Sequence, residues 1–145
     1  MAAALPARDE FILAVDRFAI ENLYFVKNGI NCAFSNTTRD IAFHPVVGNR
    51  FSHQAIFDYL YFHCIPGPGT GYQNIERLLP GQCLLVNKLG PTTHQYWEPR
   101  YLTEGSEASP QDLTAALQHA VDKRMTNEPT ACFLSGGLDS AAIAG

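Results

Sequence analysis

Residues 135–140 read Ser-Gly-Gly-Leu-Asp-Ser, set between the apolar run Ala131–Leu134 and the small-residue stretch Ala141–Gly145. Two adjacent glycines let a backbone turn tightly and approach a ligand closely, because no Cβ stands in the way. A helix starting directly after them presents N–H groups without intrahelical partners, together with the positive end of its dipole. That is an anion-binding arrangement. Ser135 and Ser140 add hydroxyls that can donate to phosphate oxygens. Asp139 narrows the chemistry, since a carboxylate beside polyphosphate repels it unless Mg²⁺ bridges the two; the set points to a metal–nucleotide ligand. The Walker spacing G-x-x-x-x-G-K-[ST] and the dinucleotide fingerprint G-x-G-x-x-G are both absent. A plainer reading needs no ligand. Gly-Gly with Ser and Asp is ordinary strand-to-helix turn chemistry, with Asp139 capping the helix.

Such a loop has to be carried by a strand before it and a helix after it. The run Thr130–Leu134 is expected to be a buried strand. Upstream, Ser109, Pro110 and Asp112 predict a helix start: serine caps, proline takes the first helical position and aspartate reaches back in a capping box. Leu113, Ala116, Leu117, Ala120, Val121 and Met125 supply its apolar stripe to about Thr126, and Asn127 and Pro129 stop it. The stretch "EPRYLTEGSEASP" is polar, aperiodic and broken by glycine and proline, which predicts a linker over 99–109.

The N-terminal part reads as β. Strands are expected near 11–15, 22–27 and 30–35, the last two joined at Asn28-Gly29, because both residue types tolerate positive φ. Ser52 is the expected N-cap of a helix through Cys64, with Ile56, Leu60 and Cys64 beside Ala55, Tyr59 and His63 on one broad apolar face. The aromatics Phe57, Tyr59, Tyr61 and Phe62 are expected to build core there. "IPGPGTG" breaks that helix into a loop. A second β pair, Cys83–Val86 with Thr93–Trp97, turns around Asn87–Gly90.

Bulk properties exclude several function classes. A chain of 145 residues with 46% apolar and 17% charged residues is long and apolar enough to bury a core, which argues against disorder. A net charge of -4 gives no broad attraction to nucleic acid or anionic lipid, so neither is expected as a partner. Cys32, Cys64, Cys83 and Cys132 form no C-x-x-C pair and are expected as free thiols in the cytoplasm. His44, His53, His63, His94 and His119 lack metal-site spacing.

"SGGLDS" resembles the pyrophosphate-binding loop of the ATP-pyrophosphatase superfamily, shared by asparagine, GMP and NAD synthetases and some tRNA-modifying enzymes. Ahead of it, "DRFAIENLYF", "IFDYLYFHCIPGPGTGYQNIERLLPGQCLLV" and "YWEP" resemble, in that order, a stretch of the glutamine-dependent asparagine synthetases. That stretch runs from the end of the glutaminase domain into the synthetase domain, and the resemblance covers nearly the whole chain after residue 10. The chain departs from the family at Ala19, where glycine is usual, at Glu21 and Asn22, where lysine and proline are common, and at Gly69, where arginine is usual.

The resemblance implies an α/β fold, α+β overall. The β-rich end of a class II glutaminase-type domain would occupy 1–98, the linker 99–109, and the start of a parallel α/β ATP-pyrophosphatase domain 110–145. It implies that Ser135, Gly136, Gly137, Asp139 and Ser140 hold the pyrophosphate end of ATP, that Asp139 ligates Mg²⁺, and that the backbone at Leu134 lies near the adenosine. The implied reaction adenylates the aspartate side chain, and ammonia from glutamine then converts it to the amide. Related cyclases that use the same loop, peptide-modifying amidotransferases and a non-catalytic remnant are the alternatives. No catalytic acid, base or nucleophile is identified in this segment. The family's nucleophilic cysteine and glutamine-binding motifs would lie upstream of Met1, and the rest of the sheet after Gly145. The chain is therefore expected to be a piece of a longer protein, inactive alone.

Overall fold

The computed structural model describes residues 2–101 and 109–145. The chain divides into two compact units, Met1–Arg100 and Tyr101–Gly145. Most of the expected linker, 102–108, lies outside the described residues.

Among its described residues, unit 1 holds seven strands, all paired antiparallel: β1 (Ala2–Leu5), β2 (Glu10–Ala14), β3 (Tyr24–Asn28), β4 (Asn31–Ser35), β5 (Ile75–Arg77), β6 (Gln82–Asn87) and β7 (Gly90–Gln95). They form a four-stranded sheet in the order β1-β2-β6-β7 and a three-stranded sheet in the order β4-β3-β5. Among the described residues two α-helices accompany them, α1 (Thr38–Ala42) and α2 (His53–Phe62), with a 3-10 turn at Pro6–Arg8. The expected hairpin forms, with the ladder running to Asn28↔Asn31, so the two loop residues are Gly29 and Ile30. Gly29 supplies the positive φ of 61° that the turn requires. The second hairpin closes tighter than expected. Asn87 pairs with Gly90, and the Asn87 side chain accepts from the Leu89 N–H at 2.9 Å. β7 therefore ends at Gln95, and Tyr96 and Trp97 leave the ladder to donate to the Gly81 carbonyl.

Alternation places the core. Leu13, Val15, Phe25, Leu78 and Leu84 form one buried cluster, flanked by Phe11, Cys32 and Val86, so the inner faces of both sheets meet there. The Phe11 and Phe34 rings, one from each sheet, lie 5.2 Å apart. On its other face the three-stranded sheet packs Val26 and Ile75 against Ile41 and Ala42 of α1. Full burial of side chains such as Phe25 and Leu84 contributes about 1.5–3 kcal/mol each.

Helix α2 begins as expected, the Ser52 hydroxyl accepting from the Ala55 N–H at 3.2 Å. Its packing differs from the expectation. Only Ala55 is buried; Phe57, Tyr59, Tyr61 and Phe62 are exposed, and Leu60 is 73% exposed. The aromatics stack on one another instead, Phe57 with Tyr61 at 6.2 Å and Tyr61 with Phe62 at 4.8 Å. The loop after α2 is held internally. Buried Thr70 donates to the Ile75 carbonyl at 2.8 Å, and Gly67 sits so close to Leu79 and Arg77 that a side chain would collide with them.

Ala19, at one of the family departures, adopts a left-handed φ of 50°. An L residue pays about 1–2 kcal/mol there. Reverting to glycine removes that cost but adds unfolded-state entropy of about 0.4–1 kcal/mol and gives up a half-buried methyl. The expected net effect of Ala19→Gly is a gain of about 0.5 kcal/mol, roughly 2–4 °C in Tm. Paired thermal melts of the two chains check it, and an unchanged or lower Tm contradicts it.

Unit 2 holds α3 (Pro110–Asp122) and α4 (Leu138–Ala144). The capping box of α3 is complete: the Asp112 N–H donates to the Ser109 hydroxyl at 3.2 Å, and the Ser109 N–H donates to the Asp112 carboxylate at 2.9 Å. The Ser109 backbone N–H, and then its hydroxyl, hold the Asp112 carboxyl below its ordinary value near 3.8. A depressed pKa means that this stabilisation is present above the ordinary value and is lost as pH falls through the folded one. The α3 amide resonances are expected to shift toward frayed positions as pH drops below about 3.8. Asp112→Asn should abolish that acid transition, and its persistence in the variant would assign it to another group.

The expected strand at 130–134 does not form. Those residues carry no ladder, and Phe133 is 99% exposed. A strand exists only by pairing, and among the described residues of unit 2 there is no other strand to pair with.

Candidate functional site

The loop 135–140 keeps the shape that its glycines predict. Gly136 takes a positive φ of 79°, with open space where a Cβ would stand. Gly137 is the N-cap of α4 in an extended conformation and no side chain caps the helix. The first intrahelical acceptor, the Gly137 carbonyl, is used by the Ala141 N–H, which leaves the N–H groups of Leu138 and Asp139 without helical partners. Asp139 is exposed and its carboxylate makes no hydrogen bond or ion pair with any described residue. The capping role that a plain turn would assign to it is therefore not filled.

The two serines are brought together across the loop. Their hydroxyl oxygens lie 2.9 Å apart, although the residues are five apart in sequence. Ser140 Oγ also accepts from the Ser135 N–H at 3.2 Å and donates to the Gly137 carbonyl at 3.1 Å. Ser135 Oγ accepts from the Gly137 N–H at 3.3 Å. Two of the amides counted toward an anion cradle are thus engaged by serine oxygens. The N–H groups of Gly136, Leu138 and Asp139 have no partner among the described residues. Sequence reasoning had the residues but not this pairing, which depends on side-chain rotamers and leaves no mark in residue type or spacing. Leu134 is 67% exposed at the head of the loop. Elsewhere in unit 2, an apolar recess of about 720 Å³ is lined by Val121, Met125, Cys132 and Ile143.

Among the described residues, no three or more His, Cys, Asp or Glu converge on a metal-binding point. Cys32 packs against the core, and burial pushes its thiol up, with Lys27 only partly offsetting the effect. That is the reverse of what a thiolate nucleophile needs. No described helix is long and apolar enough to cross a membrane.

Comparison with known proteins decides the kinship. The glutamine amidotransferase domain family matches residues 5–97 and the asparagine synthase family matches residues 112–145, the segment that contains the loop. The chain belongs to the asparagine synthetase family. It is 27% identical over 140 residues to asparagine synthetase [glutamine-hydrolyzing] 3 of Bacillus subtilis, covering 94% of this chain and 23% of that protein. It is 28% identical over 147 residues to a putative asparagine synthetase of Mycobacterium tuberculosis, covering 93% and 22%. A putative asparagine synthetase of Methanocaldococcus jannaschii matches at 28% over 145 residues, covering 90% and 27%. The chain spans about a quarter of the length of these curated relatives. Within the asparagine synthetase family, the mixed α/β architecture is that of an amidotransferase domain followed by the start of a synthase domain.

Proposed function

We propose that this chain is a segment of an ATP-dependent, glutamine-hydrolysing ligase that forms the amide of asparagine from aspartate. The observation that carries the reading is the coincidence of the asparagine synthase match at 112–145 with a loop whose one carboxylate, Asp139, has no partner among the described residues. In this reading 1–98 belongs to the glutaminase-type domain, 99–109 links, and 110–145 opens the ATP-binding domain, in a cytoplasmic enzyme.

The residues present fit magnesium-bound ATP. Gly136 leaves open space at its backbone, and among the described residues the N–H groups of Gly136, Leu138 and Asp139 and the Asp139 carboxylate have no partner. Ser135, Gly136, Gly137 and Ser140 shape the cradle for the pyrophosphate, the Leu134 backbone borders the adenosine, and Asp139 holds Mg²⁺. Bound ATP would supply the activating group for a carboxylate. The loop would stabilise charge on the departing pyrophosphate, and none of its residues moves a proton. Aspartate and glutamine-derived ammonia are the remaining reactants.

The test is an assay of the longer polypeptide that contains this segment. With ATP, Mg²⁺, aspartate and glutamine it should release AMP and pyrophosphate in step with asparagine. Release of ADP and phosphate, or pyrophosphate release indifferent to aspartate, defeats the reading.

A further inference from the structure

Helix α2 turns to water the kind of face that a surface helix normally turns inward. At about 100° per residue, Ile56, Phe57, Leu60 and Tyr61 fall within an arc of about 140°, roughly opposite Ala55, the one buried residue of the helix. Their exposures run from 49% to 73%. A helix that is apolar opposite its buried side is built to be covered on both sides. The arc carries no formal charge, and Asp58 at its edge is engaged by the Gln54 amide at 2.8 Å, so a charged partner gains nothing there. A second copy of the chain meets these conditions. Run antiparallel, α2 of one copy sets Leu60 level with the partner's Phe57 and Ile56 level with the partner's Tyr61, and both pairs recur across the two-fold axis. The helix dipoles then oppose each other, which is the favourable order. At about 200 Å² for a large apolar side chain, four of them exposed to this extent offer roughly 500 Å² per copy and about 1,000 Å² in the pair, enough for a specific but weak interface. The Phe57 and Tyr61 rings already stack at 6.2 Å with 9° between their planes, so docking costs them little side-chain freedom.

We propose that α2 is the contact face of a weak, two-fold symmetric dimer of this chain, packed helix on helix in antiparallel order through Ile56, Phe57, Leu60 and Tyr61. The interface is independent of the nucleotide reading.

Sedimentation velocity of the 145-residue chain tests it, over a concentration range of about 1 to 300 μM that brackets the micromolar Kd of a small interface. The parent chain should pass from monomer to dimer within that range. Leu60→Arg and Phe57→Glu, each alone, should weaken association at least about tenfold, because each places an unpaired charge inside the pair. Both positions are exposed in the single chain, so far-UV circular dichroism should stay that of the parent. Leu89→Arg, at an exposed position on the β6–β7 turn, should associate like the parent chain. An equimolar mixture of Leu60→Arg and Phe57→Glu reads the orientation. In an antiparallel pair the introduced arginine faces the introduced glutamate while the unaltered Phe57 and Leu60 meet as before, so the mixture should form a heterodimer that neither variant forms alone. A parent chain that stays monomeric overturns the proposal and leaves the face to a different segment of a longer polypeptide. Association that survives Leu60→Arg, or that Leu89→Arg weakens as much, overturns it as non-specific clustering. A mixture that associates no better than its components overturns the antiparallel packing.

Discussion

Gly81→Ala is expected to cost about 3 kcal/mol of stability, a large share of the roughly 5–15 kcal/mol that holds a domain folded. Two separate penalties combine. Gly81 sits at a φ of 71°, where an L residue pays about 1–2 kcal/mol. A Cβ there would also collide with the Trp97 carbonyl and come within 3.1 Å of Gln95 Nε2. Overpacking of that kind typically costs about 1–3 kcal/mol, and more where the neighbours cannot yield. These neighbours are tied down. Gln95 Nε2 donates to the Pro80 carbonyl at 2.8 Å and to the Trp97 carbonyl at 2.7 Å. The Gly81 N–H donates to the Asp16 carbonyl, and its own carbonyl receives the N–H groups of Tyr96 and Trp97. Tyr96 Oη donates to the Val15 carbonyl at 2.6 Å, and the Trp97 ring lies 5.8 Å from Phe18. Gly29→Ala is the matched control, because Gly29 has a similar φ of 61° and open space around its missing Cβ. Urea midpoints should separate the two: about 1 kcal/mol lost at Gly29, the backbone cost alone, against about 3 at Gly81. Equal losses would mean that the clasp around Trp97 yields, and the contact argument would fail.

Wherever a few neighbouring residues decide the structure, the chain was legible. The turn at Gly29, the Ser52 cap and the two-armed box at Ser109 and Asp112 all formed, because each is settled within about four residues. What escaped is non-local. β1 is Ala-Ala-Ala-Leu, a poor strand former by propensity, and it is a strand only because Ala2–Leu5 pairs with Glu10–Leu13. β5 has three residues and α1 five, both too short for a period to show. Thr130–Leu134 erred in the opposite direction, an apolar run with strand composition and no partner. The apolar residues of α2 read as core for the same reason: composition tells that a side chain favours burial, not what will bury it. At the candidate site, the loop and its glycines were readable from residue type. The free state of Asp139 and the serine pairing were not, since both depend on which donors the turn leaves over.

Asp139→Asn is the change with the largest expected effect on ligand binding. Asparagine keeps the shape of the side chain and removes its charge. Among the described residues Asp139 caps nothing and pairs with nothing, so folding stability should move by less than about 0.5 kcal/mol. Binding should move far more. Removing partners that merely orient a metal ligand already costs about 10- to 100-fold in metal affinity, so loss of the ligand itself should weaken magnesium pyrophosphate binding by about 100-fold. Without Mg²⁺ the order should reverse. The aspartate then only repels the polyanion, and the neutral variant should bind pyrophosphate more tightly than the parent chain. Isothermal titrations of both chains with pyrophosphate, in excess Mg²⁺ and in chelator, read this crossing directly. A helix-capping aspartate would give another pattern, with lower stability in the variant and the same ranking in both buffers. That outcome would remove the magnesium role from Asp139 and return the loop to an ordinary turn.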